Sequence, residues 1–451
     1  MTQPRLVHPE YAERFLCIGS ACEDTCCKGW GIPVDREAYE KYRKLPPSPL
    51  RTLIQISCLI TPKDTVCVDG SGQIVPEPEV FAKIRMTPDN QCPMLQGDGL
   101  CRIQTEYGAE FLSKTCASYP RIVHSIGGIE EKALALSCPE AARLVLLDPW
   151  LFAPIQPVPT TWPTPPDAPY HPHPEDNPAG GDGSLLSWFW SIRECVLALV
   201  QNRSYELWQR LFLLGIFCRR LDGIAEGDFR IAVPAFLCEF EASIASGRLR
   251  TAMEAMEIFP TDDALQLDMV LKLAGMLLKN SNTLPRFSEC VRAFTAGIGY
   301  GPGATLQSLA AQYALSHNRF YAPFFDRHPH ILENYLINTM VRCQFPLREG
   351  RAGARPSMAH EYALLTAQFA LMKGLLIGVA GRHREAFCAE HVVHTVQAAS
   401  RHFEHHPHFL AQARALLVEN KMEGARGLAV LLRNTELAAT KAAPAAYAAT
   451  G

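Results

Sequence analysis

The 451-residue sequence lacks three features that would place it among secreted, membrane or nucleic-acid-binding proteins. Residues 1–10 contain no apolar core of the kind that a secretory signal requires, so we expect the chain to stay where thiols are kept reduced. The longest apolar runs look too short to cross a bilayer, and the richest, residues 207–218, is interrupted by Arg210. The formal net charge is only −3 and no polybasic block occurs, which gives no electrostatic support for a nucleic-acid partner. We therefore expect a cytoplasmic protein without membrane or nucleic-acid partners.

Cysteine, by contrast, is abundant and concentrated. Ten of the sixteen cysteines lie between Cys17 and Cys138, and four of them fall within residues 17–27. A packed core uses cysteine as a small apolar residue, one at a time, and does not need such a cluster. In a reducing compartment, clustered thiols are instead kept as thiolates by a soft cation. The pattern predicts a metal site and disfavours a disulfide framework.

The spacing of these cysteines leaves the metal open. Zinc ribbons are built from two C-x2-C pairs, and the sequence contains none. Its spacings are C-x4-C, C-x3-C, C-x8-C and C-x14-C, together with the adjacent pair Cys26 and Cys27. Such irregular spacing suits an iron-sulfur cluster somewhat better than a zinc knuckle, and zinc remains the alternative.

The residues around the cysteines resemble a known family. Residues 15–30 read F-x-C-x4-C-x-D-x-C-C-x-G-W, residues 92–104 read C-P-x-L-x3-G-x-C-x-I-Q, and residues 116–121 read C-x-x-Y-P-R. These motifs resemble those of the flagellin lysine-N-methylase family of bacteria, and the cysteine module is similar to small bacterial proteins with zinc- or iron-chelating cysteine clusters. A second resemblance covers residues 332–338, 345–346 and 400–405.

The resemblance implies a protein-lysine N-methyltransferase that acts on flagellin. It further implies S-adenosylmethionine as the methyl donor and an iron-sulfur centre, with a 4Fe-4S cluster favoured and zinc as the alternative. No catalytic residue is assigned, and Cys58 and Cys67 lie in a segment that does not align with the family. The cysteines that match the family by position, and are therefore the predicted metal ligands, are Cys17, Cys22, Cys26, Cys27, Cys92, Cys101, Cys116 and Cys138.

Three further residues are candidates for cofactor binding. Trp30 and Tyr119 lie close to the cysteines in sequence and could hold the sulfonium of the methyl donor against their aromatic faces, although Trp30 could simply shield a cluster from water. Asn334 lies four residues before Asn338, so the two amides are neighbours on one helix face. This polar pair could hold the cofactor or the lysine substrate, or it could form a helix–helix hydrogen bond.

Two signatures of methyltransferases are missing. A nucleotide-binding fold would place a glycine-rich turn directly after a hydrophobic strand, but the run at residues 297–303 follows a helical pattern and predicts a helix–helix connection. The C-x3-C-x2-C signature of radical S-adenosylmethionine enzymes also fails, because Cys22 and Cys26 have the first spacing but position 29 is glycine. The sequence therefore gives no support to a radical route and leaves the choice between radical and direct methyl transfer open.

The fold class predicted from periodicity is mainly α. Residues 1–148 form a cysteine-rich module with little regular strand, 149–183 a linker rich in Pro and Gly, 184–435 an all-helical domain and 436–451 a frayed tail. In the module we expect helices at 34–42, at 103–116 and after Cys138, and a hairpin at 66–75. Apolar stripes in the second domain predict helices at 184–200, 207–221, 231–244, 265–278, 287–294, 331–345, 362–379, 386–403 and 409–418.

The remaining polar and thiol side chains carry no predicted site. The six later cysteines each lie alone on an apolar stripe, which predicts buried core thiols: Cys195, Cys218, Cys238, Cys290, Cys343 and Cys388. Four histidines near residue 405 are explained by favourable interaction with a helix C-terminus: His402, His405, His406 and His408. An alternative function of a different class also remains, namely a zinc- or iron-binding carrier or scaffold protein without enzymatic activity.

Overall fold

The structure is a computed structural model of the 451-residue chain. The predicted linker and tail lie almost wholly outside the residues that it describes. These residues are 10–61, 66–68, 74–76, 80–126, 129–152, 176, 185–225, 227–256, 261–279, 284–347, 357–405 and 408–436.

The first third of the chain consists of short helices and short antiparallel strands. Strands β1, β5 and β2 form one sheet in that order, with Ile84 of β5 opposite both Ile32 and Cys58, and β3–β4 and β6–β7 form two hairpins. The hairpin predicted at 66–75 is confirmed. The strands are β1 Ile32–Val34, β2 Cys58–Ile60, β3 Val66–Val68, β4 Ile74–Pro76, β5 Ala82–Ile84, β6 Arg121–Ile126 and β7 Ile129–Leu134. The helices are α1 Arg36–Lys44, α2 Pro49–Ser57, α3 Arg102–Tyr107, α4 Lys114–Ser118 and α5 Pro139–Leu147, with 3-10 turns at Glu10–Arg14, Gly19–Ala21 and Ala109–Phe111.

The rest of the described chain is helical, which confirms the mainly α fold class. The apolar stripes located most of these helices but missed four of them: α9, α12, α13 and α18 in the list that follows. The helices are α6 Phe189–Val200, α7 Leu207–Asp222, α8 Phe229–Ala245, α9 Arg248–Met256, α10 Asp263–Leu278, α11 Pro285–Gly297, α12 Leu306–Ser316, α13 Ala322–Arg327, α14 His330–Arg342, α15 Met358–His383, α16 Ala389–Phe403, α17 Phe409–Glu419 and α18 Ala425–Leu432. Shorter 3-10 turns lie at Leu185–Trp188 and Arg384–Ala386, and a π-helical turn spans His317–Tyr321.

Within the described residues, hydrophobic packing forms two cores. Residues between Ile32 and Ile103 enclose a small core around the three-stranded sheet, which includes Cys58 and Cys92. The segments on either side of it, with Tyr11 and the buried face of α5, pack into the large core of the helical domain. The cysteine-rich segment is therefore joined to the helical domain at both of its ends.

The helix predicted at 103–116 is wrong as a single element. Gly108 has a φ of +97°, a conformation that only glycine adopts easily, and it separates α3 from the 3-10 turn that follows. Ser113 then caps α4, its side chain accepting the backbone N–H of Cys116. A continuous helix would hold Cys101 and Cys116 far apart, whereas the interrupted chain does not fix them at opposite ends of one helix.

The glycine-rich run at 297–303 is a connection between helices, as predicted. It joins the end of α11 to Thr305, which caps α12. At Gly297 an added Cβ would lie 1.7 Å from the carbonyl oxygen of Gly378 in α15. Glycine is required there because the α11 and α15 backbones touch.

The expectation that no apolar segment is long enough to cross a membrane is wrong for α15. Residues Met358–Ala386 have the length and composition of a membrane span, and no other helix in the described residues does. However, the whole apolar window is buried inside the fold, as in the core helix of a soluble protein. Its apolarity is explained by its central position, where α7, α10, α11, α12 and α16 pack around it.

The six later cysteines only partly match the prediction of core thiols. Cys195, Cys218 and Cys290 are buried, and Cys238 and Cys343 are half-buried. Cys388 is exposed, so the prediction is wrong for this residue. Cys388 is the N-cap residue of α16 and therefore lies before the apolar stripe of that helix begins.

Candidate functional site

Two loops of the cysteine-rich segment lie side by side. The backbone N–H of Cys92 donates to the carbonyl of Cys27 at 2.8 Å, and Lys28 pairs with Gln91 as an isolated bridge. Leu95 and Cys101 pair in the same way and close the second loop. These backbone contacts bring together cysteines that are far apart in sequence.

Five of the predicted ligands form one neighbourhood, which we call the five-thiol group: Cys26, Cys27, Cys92, Cys101 and Cys116. Burial is the main reason that the pKa of Cys92 rises to about 11 and that of Cys116 to about 12, and the charge of Cys101 raises both further. The hydrogen bond with Cys26 is the main cause of the raised pKa of Cys27, and burial and the charges of Cys92 and Cys101 add to it. The thiols are thus close enough for their charges to interact, and a bound cation would favour their thiolate forms.

Cys26 is the exception within this group, because its pKa is lowered to about 7. The hydrogen bond with Cys27 is the main cause, and the positive charge of Arg401 contributes, while burial acts in the opposite direction. Cys26 is therefore more readily deprotonated at neutral pH than Cys27, Cys92 or Cys116.

The other three predicted ligands form a second neighbourhood, the three-thiol group, which consists of Cys17, Cys22 and Cys138. Burial raises the pKa of Cys138 to about 12, with smaller contributions from the charges of Cys22 and Cys17. Burial likewise raises the pKa of Cys22, and the charge of Cys17 adds to it. Cys138 directly precedes α5, so this group lies where the cysteine-rich segment meets the helical domain.

The five-thiol group contains the type of donor that a soft cation prefers. Four thiolates complete a structural zinc site or bind an iron-sulfur cluster, and this group contains five free thiols. The three-thiol group is one donor short of such a set. Among the described residues, no three side chains of His, Cys, Asp or Glu are arranged around one point as ligands of an ion. The assignment of metal ligands therefore stays a prediction. The five-thiol group has enough thiols to supply the four ligands of a zinc ion or an iron-sulfur cluster.

Trp30 and Tyr119, the two aromatic candidates for cofactor binding, lie next to each other. Their ring centroids are 5.9 Å apart, and Trp30 stacks on the imidazole of His405 at 5.0 Å. The indole N–H of Trp30 donates to the carbonyl of Cys26 at 2.8 Å, which fixes the ring beside the five-thiol group. These three rings form what we call the aromatic cluster.

Ser137 joins the aromatic cluster to the helical domain. Its fully buried hydroxyl lies 3.1 Å from the Tyr119 hydroxyl and 2.9 Å from Nε2 of His405, and its backbone N–H donates to the carboxylate of Glu404 at 3.2 Å. Burial, with smaller effects of Arg401 and Arg342, lowers the pKa of His405 to about 4, so its ring is neutral at pH 7. The sequence explanation of His405 as a helix-end histidine missed this contact. The only sequence signal for this contact is that Ser137 directly precedes Cys138, one of the predicted ligands.

Asn334 and Asn338 are engaged in packing between elements. The Asn334 amide donates to the carbonyls of Val145 and Asp148 at 2.9 and 2.8 Å, which uses both of its hydrogens. The Asn338 amide donates to the carbonyl of Leu134 at 2.9 Å and its oxygen accepts the backbone N–H of the same residue. Asn334 therefore anchors α5 on α14, as in the helix–helix alternative, whereas Asn338 bonds to the strand β7. We do not include Asn334 in the proposed site.

A second buried polar cluster lies within the helical domain and had no sequence signal. Lys373 of α15 donates to the carbonyl of Leu432 and to the side chain of Asn434, both at 2.7 Å, and Asn434 in turn donates to Asp263. Burial lowers the pKa of Lys373 to about 7. The cluster ties the segment that follows α18 to the centre of the domain. It lies beside the π-helical turn, whose His317 carries a buried Nδ1 with no hydrogen-bond partner in the described part of the chain.

Lys373 gives the fold a dependence on pH. Its folded pKa of about 7 is below its ordinary value of 10.5, so between these values the unfolded chain binds a proton that the folded chain does not, and stability rises with pH. We expect Lys373→Met to remove this contribution. Relative to the variant, the wild type should gain up to about 1.4 kcal/mol of unfolding free energy per pH unit in that range. Urea unfolding at several pH values measures the difference, and parallel pH profiles would contradict it.

Comparisons with known proteins agree with the sequence motifs. Residues 193–431, more than half of the chain, match the family model of the FliB lysine N-methylase C-terminal domain. A lysine-N-methylase of Salmonella typhimurium is 36% identical over 149 residues, which are 33% of this chain and 34% of that protein. The flagellar biosynthetic protein FliU of Salmonella muenchen is 35% identical over 149 residues, which are 33% of this chain and 81% of that protein. No solved structure matches the chain significantly.

These matches cover only part of the chain and of some relatives, which limits the properties of the relatives that can be assigned to this chain. The alignment spans only about a third of the length of the lysine-N-methylase, whereas the family model covers most of the helical domain. That model begins at Arg193 in α6 and ends at Leu431 in α18, and it therefore includes α16 with its contacts to the cysteine-rich segment. The chain belongs to the FliB lysine N-methylase family, as the sequence motifs predicted.

Proposed function

We propose that the protein is a cytoplasmic protein-lysine N-methyltransferase that transfers a methyl group from S-adenosylmethionine to lysine side chains of flagellin. Membership of the FliB lysine N-methylase family supports the activity, and the names of the relatives support lysine and the flagellum as its context. The five-thiol group is the proposed site of a 4Fe-4S cluster, with zinc as the alternative. The observation that carries the proposal is the aromatic cluster, which is hydrogen-bonded to Cys26 and packed against the family domain.

The proposed reaction is a direct displacement. The lone pair of a neutral lysine amine attacks the methyl carbon, the bond from that carbon to sulfur breaks, and S-adenosylhomocysteine leaves with the electron pair. The amine must first lose a proton, because an exposed lysine has a pKa of about 10.4. Desolvation against an apolar surface lowers that pKa and makes the amine available. The faces of Trp30 and Tyr119 would hold the sulfonium cation of the donor.

The proposed cluster has a structural role in this scheme. Cysteines of the Cys26–Cys27 loop and of the Cys92–Cys101 loop would hold it, and its role would be to keep these loops in place. The chain's own residues then position the aromatic cluster, since the indole of Trp30 donates to the carbonyl of Cys26. Flagellin lysines would reach the donor where the cysteine-rich segment contacts α16.

Incubation of the purified protein with flagellin and S-adenosylmethionine labelled in the methyl group tests the activity. We expect label on flagellin lysines, detected by mass spectrometry of peptides, and S-adenosylhomocysteine in equal amount. Formation of 5′-deoxyadenosine would refute the direct displacement. Release of metal to an acceptor without any methyl label would refute the methyltransferase and support the carrier alternative.

Substitution of Trp30 tests the aromatic cluster. We expect Trp30→Leu to weaken binding of S-adenosylmethionine by about 1–2 kcal/mol, roughly a 5- to 30-fold rise in Kd, because a cation loses an aromatic face. Trp30→Phe keeps an aromatic face but loses the hydrogen bond to the carbonyl of Cys26, and it should retain most of the affinity. Isothermal titration calorimetry measures both, and equal losses in the two variants would point to the hydrogen bond instead.

A further inference from the structure

Helix α16 of the family domain reaches the cysteine-rich segment through Arg401. One nitrogen of its guanidinium lies 3.1 Å from the carboxylate of Asp24, between Cys22 and Cys26. The other donates to the carbonyl of Thr25 and, at 2.5 Å, to that of Lys28. These two carbonyls bracket Cys26 and Cys27, so one side chain from the helical domain holds the loop on both sides of the adjacent cysteines.

The contact is buried and is reinforced one helical turn earlier. The side chain of Arg401 is 4% exposed and that of Asp24 is 12% exposed. Gln397, four residues before Arg401, donates to the same Asp24 oxygen at 2.8 Å and to the carbonyl of Ser137 at 3.0 Å. A buried guanidinium is costly unless its charge is compensated, and here the carboxylate of Asp24 compensates it.

A metal site formed by these cysteines would place negative charge beside Arg401, in addition to the carboxylate of Asp24. Four thiolates around Zn²⁺ carry a net charge of −2, and a cysteine-ligated iron-sulfur cluster is also anionic. Groups behind the ligands that fix their orientation and compensate their charge strongly affect metal affinity.

We propose that Arg401 is a positioning residue for the metal site, which fixes the loop of Cys26 and Cys27 from the helical domain and compensates the charge of its thiolates. This inference rests on the metal site of the proposed function. It assigns to the family domain a part in metal binding that the cysteine motifs alone do not contain. The metal site is then complete only when α16 is docked on the cysteine-rich segment.

Two variants that break the same ion pair separate this role from a merely structural one. Arg401→Gln removes the charge and the paired donors, whereas Asp24→Asn removes the partner charge but leaves Arg401 with its two carbonyls. The full-length protein, purified anaerobically, is exposed to excess chelator, and the rate of metal loss is followed by elemental analysis. We expect Arg401→Gln to lose metal about 10- to 100-fold faster than the wild type, Arg401→Lys to be intermediate, and Asp24→Asn to stay close to the wild type.

Arg220→Gln is the matched control, since Arg220 forms an exposed ion pair with Glu239 within the helical domain. Thermal unfolding of the metal-free forms shows whether Arg401→Gln and Asp24→Asn destabilise the fold to different extents. The inference about Arg401 would be overturned, without affecting the proposed metal site, by either of two results. One is equally fast metal loss in Arg401→Gln and Asp24→Asn, and the other is metal loss from Arg401→Gln at the wild-type rate. A wild-type protein that binds neither iron nor zinc would overturn the metal site and this inference together.

Discussion

Cys92→Ser is expected to remove the metal and, with it, lysine methylation. Cys92 is buried, its backbone N–H donates to the carbonyl of Cys27, and its charge interacts with those of Cys27 and Cys116. Serine nearly preserves the volume, but its hydroxyl does not replace a thiolate as a ligand for a soft cation. We expect the metal content to fall by a factor of about ten or more and methyl transfer to fall in parallel. Elemental analysis and the methyl-label assay measure the two effects.

The control for Cys92→Ser is Cys388→Ser. Cys388 is an exposed thiol that precedes α16, far along the chain from the five-thiol group, and its replacement should leave the metal content unchanged. Cys138→Ser tests the three-thiol group in the same way. If Cys138→Ser lost the metal and Cys92→Ser kept it, the assignment of the site to the five-thiol group would be wrong.

The second large effect is expected at the buried ion pair of Arg193 and Glu131, which joins α6 to β7. Both side chains are fully buried, and the guanidinium lies 2.8 Å from the carboxylate. Arg193→Leu leaves the carboxylate of Glu131 buried without its partner. We expect a loss of about 3–5 kcal/mol in the free energy of unfolding, measured by urea unfolding.

The loss should depend on pH and on the partner residue. Burial raises the pKa of Glu131, and without Arg193 that pKa rises further, so the variant is most stable where the carboxyl is protonated and loses stability as pH rises. The double variant Glu131→Leu/Arg193→Leu should recover most of the lost stability, because Nε and the second amino nitrogen of Arg193 and one oxygen of Glu131 have no hydrogen-bond partner among the described residues. A double variant as unstable as Arg193→Leu would contradict this explanation.

The sequence predicted what depends on local pattern. A helix is predicted at 34–42, and α1 begins there because the side chain of Asp35 accepts the backbone N–H of Ala38. Cys138-Pro139 was expected to begin a helix, and α5 starts there. Proline lacks a backbone N–H, but the first turn of a helix does not need one. The apolar stripes located most of the long helices for the same reason.

Other features depend on contacts between distant parts of the chain, which periodicity does not encode. Gly108 interrupts a helical pattern only because the chain must turn there, and α15 reads as a membrane span because it is surrounded by other helices. The hydrogen bond between Ser137 and His405 joins residues 268 positions apart. The candidate site therefore emerged only in part from the motifs: the cysteines and Trp30 came from the sequence, and Arg401 from the fold.

The central claim of this account is that cysteines from separate loops of the chain bind a metal. The most direct test is to identify the metal that the purified protein contains. Metal and acid-labile sulfide should be determined on wild-type protein purified without oxygen. We predict brown protein with iron and sulfide in equal amounts, or colourless protein with stoichiometric zinc for the alternative metal. Folded protein that contains neither iron nor zinc after such a purification would contradict the account.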